Sequence, residues 1–83
     1  MIKANKLHQL MSITADQLTE IMSDSDYDGD WFLNISFRSL AAPKPSDLRF
    51  AYDATFLNDD NELDYTVVFV SYNPETDKMT AGY

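Results

Sequence analysis

Four aspartates, Asp24, Asp26, Asp28 and Asp30, recur at every second position. Carboxylates at that spacing support two kinds of chemistry. In a tight loop they converge and supply hard oxygen ligands to a cation. In an extended segment they point the same way at intervals of about 6.6 Å, twice the strand rise. That interval approaches the phosphate spacing along one nucleic-acid strand, so such a row presents a phosphate-like pattern to a basic groove. Asp59, Asp60, Glu62 and Asp64 form a second acidic cluster, and Glu75 with Asp77 a third.

Enzyme chemistry is poorly supplied by comparison. His8 is the only histidine and sits beside Leu7 in a short helical pattern. No serine or threonine lies in a nucleophile elbow. The only glycines are Gly29 and Gly82, so no glycine-rich phosphate cradle exists. The carboxylates sit in polar stretches, whereas acid–base catalysis requires one to be raised by burial. The expectation is a non-catalytic chain with no cofactor.

The opening Asp24-x-Asp26-x-Asp28-Gly29 resembles that of an EF-hand calcium loop, with Asp30 where a backbone carbonyl ligates. The resemblance covers this loop alone. Ile35 occupies the twelfth position, where the bidentate glutamate belongs, and Trp31 the eighth. The resemblance implies a calcium site built on Asp24, Asp26, Asp28 and Asp30, closed by Asn34 or a distant carboxylate. In size and charge the chain is also similar to small phage-encoded inhibitors, including DNA mimics and anti-CRISPR proteins. That resemblance, one of composition, implies an acidic inhibitor directed at a basic nucleic-acid-binding protein.

Charge and length set the frame. Fourteen acidic side chains against six basic ones give the 83-residue chain a net charge of −8. Lys3 and Lys6 cancel Asp16 and Glu20 in residues 1–23, so the whole excess falls in residues 24–83. Such a surface repels nucleic acid and anionic membrane and attracts basic partners, besides keeping a small protein soluble. The length suits a single domain, 1–83, with a modest core. No cysteine is present for a disulfide or thiolate metal site. The longest apolar run, Val67–Val70, is far too short to span a bilayer, and residues 1–8 lack the apolar core of a signal peptide. The expected location is the cytoplasm.

The elements that must position the carboxylates follow from periodicity. Leu7, Leu10 and Met11 share a helical face, and a second helix begins at Thr14. Thr14 and Gln17 have capping-box spacing, and Ile13 with Leu18 forms a hydrophobic staple. Leu18, Ile21 and Met22 make its apolar stripe. Residues 23–30 end the helix, and the period changes from 3.6 to 2. Trp31, Leu33, Ile35 and Phe37 are expected on one face of a strand, alternating with Phe32, Asn34, Ser36 and Arg38. Residues 41–46, with Pro43 and Pro45, read as an extended connection.

A second strand is expected at 47–57, with Leu48, Phe50, Tyr52, Ala54 and Phe56 on one face. A third, at 63–72, is apolar on both faces and so central. A four-residue hairpin loop, Asp59–Glu62 with Asn61 in the left-handed region, would set Phe56 opposite Tyr65 and Tyr52 opposite Phe69. Lys78–Tyr83 adds a short edge strand. The fold class is α+β: two short N-terminal helices (within 1–23) packed on a three- to four-stranded antiparallel sheet (31–83).

Most aromatics have strand spacing and belong to the core, yet there are more than one sheet face needs. Phe32, Tyr72 or Tyr83 is left for the surface, where an aromatic beside carboxylates makes a binding anchor. The expected partner-binding set is Asp24, Asp26, Asp28, Asp30, Tyr27, Trp31, Phe32, Asp59, Asp60, Glu62 and Asp64. The alternatives are the calcium site and a structural homo-oligomer, with a homodimer covering the helix-free face of the sheet.

Overall fold

The computed structural model describes residues 4–22 and 32–82. Its elements run α1 (Ala4–Met11), α2 (Ala15–Ile21), β1 (Phe32–Lys44), β2 (Asp47–Leu57), β3 (Leu63–Asn73) and β4 (Lys78–Gly82). The strands form one antiparallel sheet in sequence order, β1-β2-β3-β4. This is the α+β arrangement of two short helices and a four-stranded sheet. No helix among the described residues is long and apolar enough to cross a membrane.

The start of α2 follows its sequence signature. The Thr14 hydroxyl accepts from the Gln17 amide at 3.3 Å, and the Gln17 side chain accepts from the Thr14 amide at 3.0 Å. Two of the amides a helix start leaves over are thereby satisfied. Ile13 and Leu18, the staple pair, are both buried. They join one apolar cluster with Leu10, Ala15 and Met22 from the helical segment. Phe32, Ile35, Leu48, Phe50, Tyr52, Ala54, Val68, Val70 and Tyr72 complete it from the sheet. Buried Tyr52 donates its hydroxyl to the Leu10 carbonyl at 2.6 Å. That carbonyl lies in the last turn of α1, where intrahelical donors run out, so the phenol supplies the missing partner.

The sheet departs from simple alternation in two places. Along β1 the pairing shifts by one residue between Phe32 and Asn34, again between Phe37 and Ser39, and again between Ala41 and Lys44. Each extra residue inverts the facing of what precedes it. Phe32 is therefore buried and Leu33 is 60% exposed, the reverse of the expected alternation. The strand also continues to Lys44, through the stretch expected to be a connection. Pro43 is tolerated there because β1 is an edge strand, whose outer amides need no ladder partner.

The second departure is the β2–β3 register. Phe56 pairs with Asp64, Ala54 with Thr66 and Tyr52 with Val68, one residue away from the expected alignment. The loop sets this. It spans five residues, 58–62, closed by the pair Leu57 and Leu63. Asn58 donates its amide to the Glu62 carbonyl at 2.9 Å, and its side-chain oxygen accepts from the Asp60 and Glu62 amides, each at 3.0 Å. Asn61 takes the left-handed conformation, φ 61°, as expected. Facing Phe56 with Asp64 costs little because the pair lies at the end of the sheet, where Asp64 is exposed. Consequently Val68, Val70 and Tyr72 enter the core, while Tyr65 and Phe69 turn outward.

Candidate functional site

Every second residue of β2 and β3 now faces away from the apolar cluster. On β3 these are Leu63, Tyr65, Val67, Phe69 and Ser71, set across from Leu57, Thr55, Asp53, Ala51 and Arg49 of β2. Leu57, Leu63 and Phe69 are 50–54% exposed and Tyr65 is 69% exposed. An apolar stripe thus runs the length of the open face. Exposed apolar surface of this continuity marks interaction sites in soluble proteins.

The carboxylates on that face are matched. Arg38 donates to Asp53 at 3.3 Å, and Arg49 to Asp47 at 2.9 Å. Net negative charge gathers instead at the hairpin tip. Asp59, Asp60, Glu62 and Asp64 are all exposed there, and no lysine or arginine occurs between Arg49 and Lys78. The tip is built to hold its shape: Asn58 and the left-handed Asn61 satisfy its backbone internally, leaving the carboxylates for solvent. The Asp64 carboxylate is the exception, accepting from the Tyr65 amide at 2.8 Å.

The opposite end of the sheet is balanced and carries the sharpest local electrostatics. Tyr72, 4% exposed, donates its hydroxyl to Asp77 at 2.5 Å. Burial, then this hydrogen bond, then the negative charge of Asp77 push the phenol up to about 12. The Lys6 ammonium sits 5.7 Å from the centre of the same ring, within reach of a cation–π contact. A cleft of about 390 Å³ opens beside Tyr72, with Asp47 and Lys78 among its lining. Asp47 is engaged by Arg49, and Tyr72 is held as a neutral phenol.

The expected site residues divide three ways. Asp24, Asp26, Tyr27, Asp28, Asp30 and Trp31 lie outside the described residues, and with them the EF-hand-like loop. Asp59, Asp60, Glu62 and Asp64 fall together on one tip. Phe32 is a correction: it is 6% exposed, with its ring edge-on to Phe56 at 6.5 Å, so it is a core residue and not a surface anchor. Tyr72 is likewise core, and Tyr83 lies outside the described residues. Among the described residues the exposed aromatics are Tyr65 and Phe69, which the expected register placed inside. Their signal in the sequence was the apolar character of both faces of β3. Among the described residues no group of three or more histidine, aspartate or glutamate side chains is arranged to hold a metal ion.

No family model, no curated protein and no solved structure matches this chain.

Proposed function

We propose that this chain is a small, non-catalytic, acidic protein-binding module, and that its target is the basic surface of a nucleic-acid-binding protein that it inhibits. The observation that carries this reading is the hairpin tip. Four exposed carboxylates with no basic side chain among them share this tip with the directly paired Leu57 and Leu63, each at least half exposed. An apolar contact beside charge of one sign is the anatomy of a docking point that is steered electrostatically and anchored by desolvation.

Topology adds weight. Phe32, which begins the described part of β1, pairs with Phe56, and Phe56 pairs with Asp64. The described part of β1 therefore begins at the end of the sheet where Asp59–Asp64 stand. We take the acidic segment that precedes β1 in the chain, Asp24, Asp26, Asp28 and Asp30, to steer association together with the tip. On this reading the helices pack on the core face as a cover, leaving the tip free, and Leu57 and Leu63 take the anchoring role expected of Phe32.

The test is affinity capture from a nuclease-treated bacterial lysate, comparing the native chain with an Asp59→Lys, Asp60→Lys, Glu62→Lys variant. The native chain should retain a basic nucleic-acid-binding protein that elutes at moderate salt, and the variant should lose it. Equal retention by both chains, or retention by neither, overturns the reading.

A further inference from the structure

We infer that the open face of the sheet is a self-association surface, on which a second copy of the chain packs sheet to sheet with its strands running the opposite way. This goes beyond the partner binding proposed above and rests on different residues. The stripe of Tyr65, Val67 and Phe69, with the buried Ala51 beside it, is apolar along the middle of the sheet. It needs a cover that is apolar and uncharged overall. The Arg38–Asp53 and Arg49–Asp47 pairs leave no unmatched carboxylate on this face, although the chain carries −8, and Lys44 and Lys78, which pair with Asp47 and Asn73 in the sheet, add cations at its far end. A basic partner gains nothing from a face whose two carboxylates are already paired. A second acidic copy, by contrast, can approach this face without like-charge repulsion.

The ends of the sheet set the orientation. One end bears Asp59, Asp60, Glu62 and Asp64. At the other, Lys44, Arg49 and Lys78 balance Asp47, Glu75 and Asp77. Parallel packing would stack two acidic tips; opposite packing sets each tip against the balanced end of its mate. A two-fold axis near Val67 then brings Tyr65 of each copy towards Phe69 of the other. The area suffices. Eleven residues of β3 extend about 36 Å, and four strands span roughly 19 Å. The footprint is about 600 Å² per copy, or about 1,200 Å² in all, at the lower bound for a specific interface. Asp53 is covered together with its own partner Arg38, and Lys78 at the far end of the face meets the acidic tip of the mate.

Sedimentation velocity tests the association. The native chain should run at twice the 9.5 kDa of one chain, and added salt should not dissociate it, unlike the capture described above. Phe69→Lys, and separately Tyr65→Lys, should yield monomers with unchanged far-ultraviolet circular dichroism, since both positions are half exposed or more. The Asp59→Lys, Asp60→Lys, Glu62→Lys variant should remain dimeric even where it loses capture. Because the chain has no cysteine, Val67→Cys should be cross-linked to a dimer by a short bis-maleimide, whose reach suits the ~10 Å between packed sheets, and Leu63→Cys should not. A monomeric native chain, or a dimer that survives both lysine variants, overturns the inference. A Leu63→Cys cross-link overturns the opposite-running arrangement.

Discussion

The two faces of this sheet are built from similar residues and have different fates. Phe50, Tyr52, Val68 and Val70 on one face are wholly buried with residues of the helical segment. Phe69, Tyr65 and Leu63 on the other are half exposed or more, though they alternate with the first set along the same strands. Side-chain hydrophobicity does not separate the faces. What separates them is which parity the β2–β3 loop selects and where Tyr52 finds the Leu10 carbonyl. Apolar character is thus necessary for the core of this domain but does not define it.

The contrast can be broken most forcefully at its centre. Phe50→Ala should cost about 3–5 kcal/mol in chemical denaturation, as a large buried aromatic leaves a cavity. Phe69→Ala, one face over, should change monomer stability by less than about 1 kcal/mol. Equal costs would mean that the faces are equivalently packed. Tyr52→Phe comes next. It removes only the hydroxyl but strands the buried Leu10 carbonyl, for an expected loss of about 1–3 kcal/mol. Asn58→Ala removes the acceptor of two loop amides and should cost about 1–2 kcal/mol. Its amide-exchange pattern should report faster exchange at Asp60 and Glu62, and an unchanged pattern would assign the register to something other than the loop. Arg38→Ala, which breaks an exposed pair on the open face, should cost about 0–1 kcal/mol.

Tyr72 sharpens the comparison through pH. Its phenol is raised to about 12 when folded, against 10.0 as the ordinary value. The folded state therefore holds a proton that the unfolded chain releases first. The contribution is fully present below pH 10 and is lost as pH rises from 10 towards 12. Thermal unfolding followed across that window should show the native chain losing stability more steeply than Tyr72→Phe. Parallel curves would remove the phenol from the account.

Local chemistry was legible in the sequence wherever its cause is local. The Thr14–Gln17 capping box, the Ile13–Leu18 staple, the left-handed Asn61 and the clustering of Asp59–Asp64 all depend on residues within about five positions of one another. Helical and strand periods likewise announced two helices followed by strands. The facing of those strands was not legible. Strand β3 is apolar on both sides, so the hydrophobic pattern is satisfied by either register, and a one-residue slip exchanges the whole inner set for the outer. Composition therefore decided that this is an acidic α+β chain with charge concentrated in its turns. Only the tertiary structure decided that Phe32 and Tyr72 are core and that Tyr65 and Phe69 face outward. Those assignments hang on one loop's closure, three added residues in β1 and a single phenol reaching a helix end, and each of these joins residues that the sequence pattern leaves independent.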